Sequence, residues 1–196
     1  MRNIVNDQND KVQDMIWRSR EGDLSAFQQL VEHYQHYAYI LAFRLLGNDE
    51  DAKDAVQEAF IRVWKHIKNF NLSSKFTTWF YRIVTNLCLD RIKAQKRKNR
   101  FFSQGIGQDQ LLVPTNKKNP EENCINKDLA GTIIRLSEAL TPKQHIVFVL
   151  RDLQDLDMKE VARISGMSVN SVKSNLFYAR RNIRERLRQP DVPGGN

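Results

Sequence analysis

The stretch DMKEVARISGMSVNSVKSNLFYARR, residues 157–181, decides how the second half of this chain folds. Asp157 followed three residues later by Glu160 has the spacing of a capping box, and it opens a short helix carrying Val161, Ala162 and Ile164. Gly166 then offers a left-handed stop, and Ser168 can cap the next element. Beyond it Val169, Val172, Leu176, Ala179, Ile183 and Leu187 recur at spacings of three and four, the mark of one buried helical stripe. A short helix, a glycine turn and a longer capped helix follow the order of a helix-turn-helix. Off the stripe stand Asn170, Ser171, Lys173, Ser174, Asn175, Phe177, Tyr178, Arg180 and Arg181, residue types that read base edges and phosphates. In such a motif the start of the second helix enters the major groove. Asn170, Ser171, Lys173 and Ser174 are therefore expected near bases, with Arg180 and Arg181 nearer the backbone. A merely solvated face is the competing reading, and the agreement of caps, glycine, stripe and charge favours DNA.

Upstream, Thr141, Pro142, Lys143 and Gln144 combine a cap, a proline at the first helical position and a reciprocal glutamine, before the apolar run Ile146 to Leu150. The first half is also patterned for helices. Lys11 to Arg20 carries Val12, Met15 and Ile16 and stops at Gly22, leaving Asp23 to start a long helix over Leu24 to Leu46 that ends at Gly47. Asn48 can cap a third helix whose stripe is Ala52, Val56, Ala59, Phe60, Val63, Trp64 and Ile67, with Asp49, Glu50 and Asp51 complementing its positive end. After a loop around Asn69 to Lys75, a fourth helix is expected from about Thr77 to Lys96. Ser103 to Cys124 breaks every period with Gly105, Gly107, Pro114 and Pro120 and reads as a linker. As a flexible coil it spans about 25 Å, and roughly 75 Å when fully extended, so the halves are expected to engage separate places on one partner.

Composition agrees with this outline. At 196 residues with 41% hydrophobic and 28% charged side chains, the chain is long enough for one domain or two small ones and rich enough in apolar residues to fold. Eight glycines and five prolines are few, which favours helices over a turn-rich sandwich. No apolar run approaches the roughly 20 residues of a membrane span, and Cys88 and Cys124 form no metal or disulfide framework, so a cytoplasmic location is expected. The net charge of +8 is uneven. Residues 71–110 hold eight basic and two acidic side chains, and residues 158–196 hold eight and three, against nine and eleven in residues 1–70. Two basic blocks suggest two polyanion-binding surfaces.

The first basic block is interleaved with rings: Phe70, Phe76, Trp79, Phe80 and Tyr81 precede Arg82, Arg91, Lys93, Lys96, Arg97, Lys98 and Arg100. Aromatic faces take unstacked bases while cations follow phosphates, although Trp79, Phe80 and Ile83 read more readily as core. Arg82, Asn86 and Lys93 step along one helical flank, a candidate DNA surface. Asp51, Asp54 and Glu58 put three carboxylates on one face. That face suits docking on a basic partner better than metal-dependent nuclease chemistry, since no histidine or further acid joins it at ligand spacing. No phosphate-binding glycine loop or nucleophile elbow occurs. The chain is thus expected to be no enzyme and to need no metal or cofactor.

Asp51-Ala-Lys-Asp54-Ala-Val-Gln57-Glu58-Ala-Phe60, Trp64, and Phe76-Thr-Thr-Trp79-Phe80-Tyr81-Arg82-Ile83-Val-Thr-Asn86 with Asp90 resemble the first domain of extracytoplasmic-function sigma factors of bacterial RNA polymerase. Leu140-Thr-Pro142-Lys-Gln144, Leu150-Arg151, Glu160-Val-Ala162, Gly166, Ser171-Val172-Lys173-Ser174-Asn-Leu176 and Ala179-Arg180 resemble that family's promoter-binding helix-turn-helix. Phe80, Asn175 and Ser171 depart from the residues most frequent there, Leu, Arg and Thr. The resemblance implies an all-α fold of two small helical domains joined by a flexible linker, the C-terminal one a helix-turn-helix. It divides the chain into a tail at 1–10, a polymerase-binding and minus-ten domain at 11–100, a linker at 101–126, a minus-thirty-five domain at 127–189 and a tail at 190–196. It assigns Asp51, Asp54, Gln57, Glu58 and Trp64 to core polymerase. Asn71, Ser73, Ser74, Lys75, Phe76, Trp79, Arg82, Asn86, Arg91 and Lys93 would hold the separated minus-ten strand, and the polar residues of the last helix the minus-thirty-five duplex. Expected partners are core RNA polymerase, promoter DNA and an anti-sigma factor, often membrane-bound in this family. A plain helix-turn-helix regulator working without polymerase is the alternative, and it leaves the acidic helix and the aromatic-basic block without a task.

Overall fold

The computed structural model describes residues 2–105 and 140–188, with side chains described over 10–98 and 140–188. Its regular structure there is helical throughout: α1, Arg2–Arg20; α2, Leu24–Leu46; α3, Asp49–His66, closed by a 3-10 turn at Ile67–Asn69; α4, Phe76–Gly105; α5, Pro142–Phe148, running into a π-helical turn at Val149–Leu153; α6, Met158–Ser165; and α7, Val169–Arg188. The all-helical fold with a helix-turn-helix is therefore present. The expected restart near Lys127, most of the linker and Cys124 lie outside the described residues.

Local chemistry sets the breaks. Asp23 Oδ1 accepts from the Ala26 amide at 3.0 Å, and Arg18 holds the other oxygen at 2.6 Å. The amide bond, then the guanidinium, keeps this carboxyl below the usual carboxylate range. Asn48 caps α3 through the Asp51 amide at 3.0 Å, directly after Gly47 ends α2 at φ 68°, a left-handed turn that a side chain would oppose. Thr141 and Gln144 form the reciprocal box at α5. At α6 the structure differs from the expected box. Asp157 accepts from the Lys159 and Glu160 amides at 2.8 and 2.9 Å, whereas the Glu160 carboxylate turns away to accept from Thr78 on α4 at 2.9 Å. A partner on another element outcompetes the local return bond.

Two helices are longer than the sequence suggests. α1 begins at Arg2, inside the expected tail, and α4 continues to Gly105, five residues into the expected linker. The π-helical turn is also unforeseen, because the apolar run Ile146 to Leu150 gives no sign that the ladder widens at Val149.

The four N-terminal helices enclose Leu30, Leu41, Val63, Phe80 and Val84, all at most 2% exposed. Phe80 is central, its ring 4.8 Å from Phe60 and 5.9 Å from both Tyr34 and Phe76. The second half packs Ile146, Val147, Val149, Leu150, Val161, Ile164, Val172 and Leu176, and these belong to the same continuous cluster as the first half's core. α4 lies against α6 and α5, and the π-helical turn lies against α2. Arg44 on α2 donates to the Leu153 carbonyl at the end of that turn, an acceptor left over where the helix stops. A smaller cluster of Leu140, Ala179 and Ile183, backed by Phe148, ties α7 to α5.

Candidate nucleic-acid interface

Three surfaces hold the residues singled out by sequence. On α3, Asp51, Asp54 and Gln57 are exposed and Glu58 partly so. Glu58 is bound by Arg62 at 2.6 Å and approached by Arg91 at 3.7 Å. Arg91, expected on the DNA side, instead turns to α3: it donates to the Asp51 carbonyl at 2.8 Å and lies 3.8 Å from the Asp51 carboxylate. Within this conformation it bridges α4 to the acidic face. Among the described residues no group of three or more histidine, cysteine or acidic side chains converges in a way that could hold a metal ion.

Beside the acids, α2 and α3 border an open groove of about 780 Å³ whose apolar lining includes Leu24, Phe27, Val31, Phe60, Ile61 and Trp64. Trp64 is half-buried, tilted on Phe27 at 4.8 Å. Leu24 and Ile61 are 68% and 48% exposed. Sequence reasoning missed the groove. Its available signal was that Leu24 and Ile61 are apolar residues standing off their helices' buried stripes, a combination that marks a partner site when such residues gather.

On the second surface, the loop before α4 is shaped locally. Asn71 Oδ1 accepts from the Ser73 amide at 3.0 Å and the Ser73 hydroxyl at 2.8 Å, and the Ser74 amide donates to the Asn71 carbonyl at 2.9 Å. This Asx turn presents Ser73, Ser74 and Lys75 to solvent with Leu72 exposed among them, a residue the sequence reading did not select. Phe76 departs from its expected place. It is 5% exposed and packed by Tyr34, Phe70, Trp79 and Phe80, so in this conformation its ring supports the loop from within and is not a free base platform. Trp79 keeps a partly exposed edge while tilting on Phe70 at 4.9 Å. Arg82, Asn86 and Lys93 are all exposed along one flank of α4.

The third surface is α7. Ser168 Oγ accepts from the Ser171 amide at 3.2 Å, and the first turn holds no acid, so its positive end is open to a phosphate. Asn170, Lys173 and Ser174 are exposed, with the Ser174 hydroxyl donating to the Asn170 carbonyl at 3.1 Å. Asn175 is half-buried and donates to the Ser171 carbonyl at 2.8 Å. Phe177 and Tyr178 are 64% and 45% exposed in edge contact, and the Arg181 guanidinium lies 5.2 Å from the Tyr178 ring centre. Arg180 is held differently: Asp152 on the π-helical turn takes its Nε at 2.9 Å and a terminal nitrogen at 2.6 Å, and this pairing raises the guanidinium's pKa.

Comparison with known proteins gives these surfaces a context. Residues 30–98 match the family described as sigma-70 region 2, and residues 130–183 match sigma-70, region 4. The chain is 33% identical over 177 residues to the ECF RNA polymerase sigma factor SigW of Bacillus subtilis, covering 88% of this chain and 95% of that one. It is 30% identical over 179 residues to the ECF RNA polymerase sigma-E factor of Escherichia coli, covering 88% and 92%. In fold it is similar to CnrH in complex with the cytosolic domain of CnrY, with a TM-score of 0.64, 21% identity and coverage of 90% and 97%. A TM-score of 0.62 relates it to the sigma factor RpoE in complex with the anti-sigma factor NepR from Bartonella quintana, at 18% identity and coverage of 85% and 99%.

Proposed function

Because this chain belongs to the extracytoplasmic-function sigma factors of RNA polymerase, which bind core enzyme and promoter DNA to start transcription, we propose a division of that work among its three surfaces. The acidic face of α3 and the adjoining apolar groove dock on core polymerase, with Asp51, Asp54, Gln57, Glu58 and Trp64 as contacts. Carboxylates steer a basic partner, while the groove supplies the apolar area from which a stable complex draws most of its energy. The observation that carries this reading is the groove itself: exposed Leu24 and Ile61 beside an exposed row of acids need a partner, and a DNA duplex is not one.

The loop Asn71, Ser73, Ser74 and Lys75, with Trp79 behind it and Arg82, Asn86 and Lys93 along α4, holds the separated minus-ten strand. Phe76 acts by fixing the loop, and Arg91 becomes available to DNA on release from α3. On the minus-thirty-five duplex, Asn170, Ser171, Lys173 and Ser174 meet base edges, while Asn175, Phe177, Tyr178, Arg180 and Arg181 lie beside them or along the phosphates. The domain division at residues 11–100 and 127–189 follows the same reading. The chain acts through binding, performs no catalysis of its own and uses no cofactor. Among the described residues no helix is long and apolar enough to cross a membrane. An anti-sigma factor restrains the chain, at the inner face of the membrane where that inhibitor is anchored; one relative in fold is a sigma factor in complex with an anti-sigma factor.

Run-off transcription with core polymerase tests the whole assignment, and a chain that directs no promoter-dependent transcript defeats it. Asp54→Ala with Glu58→Ala is expected to lower recovery of core enzyme in a pull-down while sparing DNA contact. Lys173→Ala is expected to weaken promoter binding and to reduce the slope of log K against log salt by about 1.

A further inference from the structure

The first two turns of α7 carry small polar side chains that bond within the helix, and those bonds give two serines opposite chemistry. Asn170 and Ser174 are four residues apart, as are Ser171 and Asn175, so each residue lies one helical turn from its partner. A backbone carbonyl fixes the direction of both bonds, because it can only accept. The Asn175 atom 2.8 Å from the Ser171 carbonyl is therefore the amide nitrogen, and the same nitrogen stands 3.3 Å from the Ser171 hydroxyl oxygen. The Ser171 oxygen thus accepts, and its own proton is left for an acceptor beyond the helix. Ser174 is the reverse. Its hydroxyl proton goes to the Asn170 carbonyl at 3.1 Å, so this exposed side chain has only lone pairs to offer.

The major groove supplies both kinds of partner. Purine N7, guanine O6 and thymine O4 accept, whereas the amino groups of adenine and cytosine donate. A half-buried hydroxyl proton left without a taker at a dry contact costs affinity, which favours an acceptor atom opposite Ser171. For Ser174 to donate to a base it must first give up its bond to Asn170, which favours an amino group opposite it.

We infer that Ser171 reads the minus-thirty-five duplex as a donor and Ser174 as an acceptor, and that Asn175 is the positioning residue that sets Ser171. The inference rests on the sigma-factor reading and sharpens it, naming the base atoms that α7 selects. It also gives Asn175 a task. Standing where Arg is frequent in the family, this residue spends its amide nitrogen on its own helix and acts on DNA through the neighbouring hydroxyl.

Holoenzyme reconstituted from core polymerase and the full chain first selects duplexes from a library randomised over the minus-thirty-five element. The selected duplex is then made with one acceptor at a time removed, as a 7-deazapurine or a deoxo base, and with one amino group at a time removed, as purine for adenine or pyrimidin-2-one for cytosine. Binding by wild-type and variant holoenzymes is compared in double-mutant cycles, which subtract the weakened base pairing. Removal of one acceptor is expected to weaken the wild type roughly three- to tenfold and Ser171→Ala no further. Removal of one amino group should do the same for the wild type and Ser174→Ala. Asn175→Ala keeps both serines, and it should shrink the coupling of Ser171 while sparing that of Ser174, a separation that general damage to the helix does not give. Coupling of Ser171 to an amino group, of Ser174 to an acceptor, or of either to no base atom overturns the inference. Asn175→Ala that leaves both couplings whole, or lowers both alike, removes Asn175 from it. A holoenzyme that selects no sequence overturns the sigma-factor reading instead, a failure seen before any altered base is used.

Discussion

In the first half a cluster of rings sits among the buried aliphatic residues: Tyr34 and Phe76 meet at 5.2 Å and Phe60 and Phe80 at 4.8 Å. In the second half the buried residues are aliphatic, Ile146, Val147, Val149, Leu150, Val161, Ile164, Val172 and Leu176, and α4 and α2 of the other half form one wall of their enclosure. The contrast follows from size. A four-helix interior has room for rings among its aliphatic residues, whereas a unit as short as residues 140–188 has too little volume to hide its own apolar faces and borrows a neighbour's. A polar seam of Thr78, Glu160, Arg44 and the Leu153 carbonyl then fixes the register of the borrowed wall.

That comparison can be broken experimentally. The largest effect is expected from Phe80→Ala, which removes the ring touched by Tyr34, Phe60 and Phe76 and should cost about 3–5 kcal/mol in urea denaturation. A loss below about 1 kcal/mol would mean that the aromatic cluster is not what holds the first half together. Ile164→Ala is expected next, at about 3 kcal/mol. If the second half depends on its borrowed wall, this variant should also separate the two halves, read as loss of the disulfide that a Thr78→Cys, Glu160→Cys pair forms on mild oxidation; an unchanged disulfide yield would show a self-sufficient second half.

Acid should act on the shared wall through His145. Burial, assisted by the charge of Lys96 and opposed by the bond to the Arg44 backbone, lowers its pKa from 6.5 to about 4, and its Nε2 has no partner. The ring is neutral when packed, so its contribution is complete above about pH 6.5 and is lost as the pH falls toward 4. The loss amounts to roughly 1 kcal/mol per pH unit in that window. Denaturation midpoints at several pH values, compared with those of His145→Phe, check this: the variant should lack that part of the slope. The smallest effect is expected from Thr141→Ala, about 1 kcal/mol, because it removes one cap at the entrance to α5 and leaves the seam itself untouched. A much larger loss would mean that α5 is held mainly by its own start and only weakly by α7 and α4.

Much of the fold was readable because helix ends are decided by near neighbours. Asp23, Asn48, Thr141 and Asp157 cap where their spacing predicts, and Gly47 and Gly166 take left-handed turns. The row Arg82, Asn86 and Lys93 and the start of α7 could likewise be placed on open faces from helical period alone. What escaped depended on partners far away in sequence. Phe76 looks like its neighbours in an aromatic-basic run, and only the arrival of Tyr34 from α2 makes it core. Arg91 and Arg180 are indistinguishable in sequence from the cations beside them, yet α3 and Asp152 claim them. The groove next to Trp64 is lined from two helices at once, which neither helix's pattern records.

By itself, then, the amino-acid order determined the helices, their stops, the helix-turn-helix and the family, since capping bonds and a 3.6-residue period act over one or two turns of chain. Only the tertiary structure decided that Glu160 answers Thr78 and not its own cap, and that the two halves close on one core. Periodicity tells which face of a helix avoids water, but every apolar face satisfies that demand equally well. Volume, shape and the few polar groups at the rim select which face it meets.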